Sequence, residues 1–214
     1  MDYQTDTPKI IRDFLVYHET IKGHSKKTVD EYYLDMRTFF RYLKIARGIV
    51  PPDSSFDDIS ISDIDLGFIS SVTLSDVYGF LAYLARDREK NHNSKVTEHG
   101  LNAASRARKI STIRSFYKYL YQKAKLINVN PVDELDSPKI MKTLPRYLNI
   151  EESERLLNSV DGRNRERDYC ILTIFLNCGL RISEMAGLNM SDVHSDHLRV
   201  LGKGNKVRVV YLND

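Results

Sequence analysis

Cysteine is scarce in this chain: two among 214 residues, Cys170 and Cys178, which excludes a disulfide-stapled miniprotein. They stand eight apart in a run of helical character, which sets their α-carbons about 12 Å from each other, beyond the reach of a bridge. They read as buried thiols. Long apolar runs are missing too. The longest, Tyr169 to Leu176, falls well short of the roughly 20 residues a membrane-spanning helix needs, and no signal-type N-terminus precedes it. No membrane association and a cytoplasmic location are the expectation. A strong surplus of either charge is also lacking, since 32 Lys and Arg face 29 Asp and Glu, a net +3 too mild to announce nucleic acid by itself. No internal repeat and no low-complexity tract occurs. What is present, 42% hydrophobic and 29% charged residues, suffices for one large domain or two small ones with real cores, so a disordered tail is excluded.

The distribution of charge says more than its sum. Residues 1–143 hold 22 bases against 19 acids and residues 144–214 hold 10 of each, so the whole excess lies in the first part. There the signs are segregated. Asp53, Asp57, Asp58, Asp63, Asp65 and Asp76 fall in a stretch with no base, whereas residues 101–125 carry Arg106, Arg108, Lys109, Arg114, Lys118, Lys123 and Lys125 with no acid.

Apolar residues recur at helical spacing in four windows of the first part. The first carries Ile10, Ile11, Phe14, Leu15, His18 and Ile21, and Gly23 is placed to cap it. The second begins behind Ser25 and stripes Val29, Tyr32, Tyr33, Met36, Phe40 and Leu43, with its acids and bases expected to point outward. A stretch from Pro51 to Val72 follows, too long for a bundle turn and read as an excursion. Thr73-Leu-Ser-Asp76 resembles a capping box and opens the third helix on Leu74, Val77, Leu81 and Leu84. The polar run from Arg86 to Gly100 ends it, and the fourth helix presents Ile110, Ile113, Phe116, Tyr117, Leu120 and Ala124.

Three prolines and no helical stripe between Asn128 and Pro145 mark a connector, with a domain boundary near residue 143. Beyond it, Asn149 and Glu152 signal a helix start. A helix from about Arg165 to Cys178 is apolar on every face in its C-terminal half and is expected to lie inside its domain. Gly179 ends it, a short amphipathic turn covers Ile182 to Leu188, and the period then switches. Leu198 and Val200, then Val207, Val209 and Tyr211, alternate around Gly-Lys-Gly-Asn-Lys as in a β-hairpin. The fold class predicted is mainly α, with four helices in the first domain and an α+β second unit.

Two groups of residues are placed for chemistry. Arg106, Arg108 and Lys109 sit near a helix N-terminus, where the macrodipole disfavours cations by about 0.3–1 kcal/mol each, so something must compensate them. Phosphates do so, with Ser105, Ser111, Thr112 and Ser115 adding hydroxyls; a solvated basic face is the plain alternative. Lys26, Lys27 and Thr28 make a smaller patch of the same kind. In the second group, Cys178-Gly-Leu-Arg-Ile-Ser-Glu184, Arg181 follows a helix-breaking glycine with its fork free for two phosphate oxygens, and Glu184 stands one turn on, placed to orient it. Lys203 lies between two glycines at the hairpin tip. The plain alternative is Arg181 paired internally with Glu184 and Lys203 keeping a turn soluble.

The segment from Tyr169 to Leu212 resembles the catalytic domain of tyrosine recombinases, the phage-integrase and Xer-type enzymes. The Gly-Leu-Arg-Ile-Ser-Glu and Gly-Lys-Gly-Asn-Lys pair carries that resemblance. Ser25-Lys-Lys-Thr28 with Tyr32 and Tyr33, Ser111-Thr-Ile-Arg-Ser-Phe-Tyr117, Asn130-Pro131, Pro138-Lys139 and Leu144-Pro145 resemble the family's N-terminal core-binding, SAM-like domain and linker. The resemblance implies a clamp around double-stranded DNA, with the second and fourth helices facing the major groove and further recombinase protomers on the same DNA. It implies contacts from Lys26, Lys27, Thr28, Arg106, Arg108, Lys109, Arg114, Lys118 and Lys139. Arg181 would stabilise the pentacoordinate phosphorane, Lys203 would protonate the leaving 5′-hydroxyl, and Glu184 would support Arg181 from behind. Neither cofactor nor metal is implied: strand exchange proceeds through a 3′-phosphotyrosyl link.

The family's His-x-x-Arg motif, further His or Trp and nucleophilic tyrosine follow the hairpin, and these 214 residues contain no His-x-x-Arg. Tyr32, Tyr33, Tyr117, Tyr169 and Tyr211 read as packing residues. His194 and His197 precede the hairpin, and two histidines in a turn without further ligands rarely make a metal site. The expectation is a first domain over 1–143 and the first part of a catalytic domain over 144–214, a chain that binds DNA without cleaving it. The alternatives are a truncated non-catalytic protein that occupies recombination sites, told apart by where the reading frame ends, and a helical interaction protein unrelated to DNA.

Overall fold

Side-chain caps start most of the helices, and they fall where Ser, Thr, Asp or Asn precedes an apolar stripe. The computed structural model describes residues 7–88, 99–140, 144–202, 204 and 206–212, and it divides into two compact units, Met1–Lys142 and Thr143–Asp214. In the first unit α1 (Lys9–Val16) runs into a π turn (Tyr17–Ile21), and Ser25 Oγ accepts the Thr28 N–H at the head of α2 (Lys26–Ala46). Asp65 caps the short α3 (Leu66–Ser70), and Thr73 and Asp76 complete the capping box of α4 (Leu74–Arg86). Asn102 caps α5 (Ala103–Tyr119), which ends in a second π turn, Leu120–Ala124. The polar run ahead of α5 falls largely outside the described residues.

One core joins these helices. Phe14 from α1, Met36, Phe39 and Phe40 from α2, Phe80 from α4, and Ile113 and Phe116 from α5 are all fully buried, and the Phe116 ring stands edge-on to Phe14 and Phe40. Ile21, read as part of the first stripe, is instead 72% exposed. The π turn is the cause: its wider winding rotates the end of the helix away from the core.

The acidic excursion is part of this core. It carries a short 3-10 turn (Phe56–Asp58) and α3, and it buries Ile59, Ile61, Ile64, Ile69 and Val72. Its carboxylates, and one at the head of α4, answer bases at the end of α2 and just beyond it. Asp57 meets Arg41 at 3.4 Å, Asp63 meets Lys44 at 2.7 Å, and Asp76 at the start of α4 meets Arg47 at 2.9 Å. The expectation that α2 points all its charges outward is therefore corrected. Arg41, Lys44 and Asp35 are buried, because each finds polar partners on a neighbouring segment; Arg41 also donates to the Ile59 carbonyl and Lys44 to that of Ser60.

The second unit comprises α6 (Ile150–Asn158), α7 (Arg165–Cys178), α8 (Ile182–Ala186), a 3-10 turn (Met190–Asp192) and an antiparallel hairpin of β1 (His197–Leu201) and β2 (Val207–Tyr211). Asn149 and Glu152 close a capping box on α6. Leu180, Leu198 and Val200 form its small core, with Ile174, Phe175, Cys178, Leu188 and Val210 packed against them. The inside position expected for α7 is not what is found. No residue of α7 is buried, Cys170 is exposed and Cys178 is half-buried, because the small core lies along only one side of the helix. The hairpin register pairs Leu198 with Val210 and Val200 with Arg208. Val210 and Arg208 are thereby on the inner face, while Val207, Val209 and Tyr211 are 57%, 49% and 71% exposed. Among the described residues no helix is long and apolar enough to cross a membrane.

Candidate functional site

Gly179 closes α7 with φ +58, and Leu180 turns into the small core, which leaves Arg181 as the N-cap of α8. Glu184, at the third position of α8, folds back onto it. Its Oε2 accepts the Arg181 backbone N–H at 2.9 Å, and Arg181 Nη1 donates to Oε1 at 2.7 Å. From the hairpin, Arg208 Nη2 donates to Oε2 at 2.9 Å. The Glu184 side chain is 3% exposed, whereas those of Arg181 and Arg208 are 73% and 45% exposed. One buried carboxylate thus holds two guanidiniums whose remaining donors face outward, and the group keeps a net positive charge. The Arg181 backbone N–H, with the two guanidiniums behind it, brings the Glu184 carboxyl down to about 2 against the opposing effect of burial.

Lys203 lies outside the described residues. Its neighbour Gly202 lies against the same carboxylate: a Cβ built on Gly202 stands 3.6 Å from Glu184 Oε1 and 3.3 Å from the Lys206 carbonyl oxygen. Arg208 has no counterpart in the sequence reading. It stands in the polar phase of an alternating strand, which assigns it to solvent; only the pairing with Val200 turns it inward toward α8.

The basic run of α5 is divided by α2. Arg108 donates from Nη1 and Nη2 to the two oxygens of Asp35, at 2.9 Å each, and from Nη1 to Glu31 at 2.8 Å; Lys109 Nζ reaches Asp35 at 2.8 Å. These two cations are compensated by carboxylates of the protein. Arg106 is half-buried, and its Nε is buried without a hydrogen-bond partner among the described residues. Arg114 donates to Ser137 at 2.8 Å, and Lys118 is exposed on the same helix. Lys26 and Lys27 are exposed in the first turn of α2, Thr28 is half-buried with its hydroxyl 3.1 Å from Ser25 Oγ, and Lys139 is exposed in the connector.

Beside Lys118 lies a depression lined by Tyr17, His18, Lys22, Ser115 and Lys123. His18 is 6% exposed; its Nε2 lies 3.1 Å from Ser115 Oγ and its Nδ1 3.3 Å from His24 Nδ1. Burial, then the nearby charges of His24 and Lys22, lower its pKa to about 4. Tyr117 is buried, its hydroxyl donating to the Ile69 carbonyl at 3.0 Å, and burial pushes its pKa up. His194 and His197 stack at 4.4 Å, with His197 Nδ1 on Asp196 at 2.7 Å.

Two family models match the chain: the phage integrase N-terminal SAM-like domain over residues 11–124, and the phage integrase family over residues 146–214. The chain belongs to the phage integrase family, the tyrosine recombinases. The tyrosine recombinase XerC of Caldanaerobacter subterraneus subsp. tengcongensis is 47% identical over 207 residues, covering 97% of this chain and 56% of that protein. The tyrosine recombinase XerD of Listeria monocytogenes serotype 4b is 30% identical over 207 residues, covering 95% of this chain and 60% of its own length. This chain spans less than two thirds of the length of these relatives. Among solved structures, the XerH site-specific recombinase bound to a palindromic difH substrate shares the fold with TM-score 0.55 and 19% identity, over 94% of this chain and 53% of that one. A lambda integrase dimer bound to a COC′ core site does so with TM-score 0.53 and 17% identity, over 94% and 61%.

Proposed function

We propose that this chain is the DNA-binding domain and the opening part of the catalytic domain of a site-specific tyrosine recombinase, which works on duplex DNA together with further protomers. The observation that carries the reading is the Arg181–Glu184–Arg208 group. A side chain that is 73% exposed is nevertheless fixed from behind by a buried carboxylate, which is how donors are aimed at a phosphate before it arrives. Arg181 takes the non-bridging oxygens of the scissile phosphate and stabilises the charge that builds on them in the pentacoordinate state. Lys203 protonates the departing 5′-oxygen, a general-acid step that suits a group near the Gly202 end of the hairpin. Family membership and the closeness of Gly202 to Glu184 support this role for the residue that follows Gly202 in the sequence.

Lys26 and Lys27 with Thr28, Arg114, Lys118 and Lys139 supply backbone contacts to the duplex, with Arg106 behind them at the start of α5. No tyrosine of these 214 residues is assigned as the nucleophile. The test is a mobility shift of the 214-residue chain on a duplex carrying its cognate recombination site, together with a nicked suicide substrate. The expected outcome is salt-sensitive binding with no covalent adduct. Binding that ignores salt overturns the DNA assignment, and an adduct overturns the account of the tyrosines.

A further inference from the structure

Asp35 lies on α2 where the basic side of α5 crosses it, and it is fully buried. Its two oxygens receive four donors: both Nη atoms of Arg108, Lys109 Nζ, and Thr112 Oγ1 at 2.8 Å. Glu31, one turn earlier on α2, receives Arg108 as well. Two carboxylates and two cations make a group of no net charge. Lys109 is 12% exposed, which leaves its ammonium no route to a phosphate without breaking from Asp35; Arg108 is 46% exposed but flanked by two carboxylates that repel one.

Burying a carboxylate is costly, and apolar residues of similar volume hold two helices together at least as well. A charge retained there points to a role beyond cohesion. The outward stripe of α5 runs through Ala104, Arg108, Ser111 and Lys118, with Arg114 half-buried beside it, and Arg108 is held on that stripe by the two carboxylates of α2. Were Arg108 and Lys109 released, the same helix would carry twice as many cations toward a duplex, and they would attract phosphates of any sequence.

We propose that Asp35 is a positioning residue of the DNA interface: it withholds Arg108 and Lys109 from phosphate and fixes α5 on α2, which leaves Arg114 and Lys118 as the phosphate-contacting cations of α5. This rests on the DNA-binding reading above. Salt dependence separates the two, because each phosphate neutralised adds about 0.9 to the slope of log K against log salt.

The experiment is fluorescence anisotropy of the 214-residue chain on a labelled random-sequence duplex of about 30 bp, across roughly 50 to 200 mM NaCl. Arg108→Gln and Lys109→Gln keep the wild-type slope. Lys118→Gln lowers it by about 0.9, so that affinity falls about 3.5-fold less over that fourfold salt range. Asp35→Asn, which keeps an acceptor for Thr112, steepens the slope by about 1 to 2 and tightens binding at the lowest salt.

A slope lowered by about 0.9 in Arg108→Gln or Lys109→Gln puts that cation on a phosphate and overturns the proposal. So does a wild-type slope in an Asp35→Asn chain of unchanged circular dichroism. Should Asp35→Asn fail to fold, the two glutamine variants decide alone. Absence of salt-dependent binding by the wild-type chain sinks the DNA-binding reading and this one with it, an outcome distinct from either of the others.

Discussion

The two units carry apolar residues in comparable patterns and use them differently. In the first, four helical stripes and the acidic excursion converge on a single core in which Phe14, Phe40, Phe80 and Phe116 are fully buried. In the second, among the described residues, three apolar side chains and Glu184 are buried, and α7, which carries the longest apolar run of the sequence, buries none. Hydrophobicity along a helix states what it can bury; partner surfaces decide what it does bury. Charge follows the same division. The first unit places Asp35, Arg41 and Lys44 inside as paired groups that join α2 to its neighbours, whereas the second keeps one buried carboxylate, Glu184, and aims two exposed guanidiniums from it.

The contrast is most sharply tested by hydrogen exchange on the intact chain. The slowest amides should fall in α2, α4 and α5 and exchange orders of magnitude more slowly than those of α6 to α8, because local opening there exposes few buried contacts. Equal protection across both units would break the comparison. Next in size is Phe116→Ala, expected to lower the stability of the first unit by about 3–5 kcal/mol in urea unfolding while leaving the hairpin signals of the second unit in place. Loss of both together would show that the units fold as one.

A smaller effect follows from His18. Its pKa is lowered in the folded state, so the unfolded chain binds the proton more readily. The stabilisation is complete above about pH 6.5 and drains away as pH falls toward about 4, amounting to about 2–3 kcal/mol. His18→Gln should flatten that part of the stability profile of the first unit; a profile with the wild-type slope would dissociate the effect from this ring. The smallest effect concerns Glu184. Its lowered pKa makes its contribution present above the usual glutamate value near 4.5 and lost as pH falls through about 2. The Arg208 side-chain NH resonances should therefore hold their shifts between about pH 6 and pH 4 and move only below that, while Glu184→Gln should shift them at every pH.

Much of the first unit was legible because its signals are local. Ser25 and Thr73, and in the second unit Asn149 and Gly179, act where a cap or a stop is read from two or three neighbouring residues, and Val29, Met36, Phe40 and Leu43 lie on the buried face that their spacing implies. The pairing of Glu184 with Arg181 was legible for the same reason, being one helical turn apart. Asp35 with Arg108, separated by 73 positions, was not, and neither was the inward turn of Arg208, which depends on which residue of β1 stands opposite.

By itself the sequence determined where the longer helices begin, the buried face of α2, and which two motifs mark a tyrosine recombinase, since periodicity, capping and short motifs are properties of neighbours in the chain. Tertiary structure alone decided which charges are paired inside the protein and which side chains stay exposed. That choice belongs to distance in space: the acids of α2 neutralise two bases of α5, while one buried carboxylate leaves Arg181 facing out.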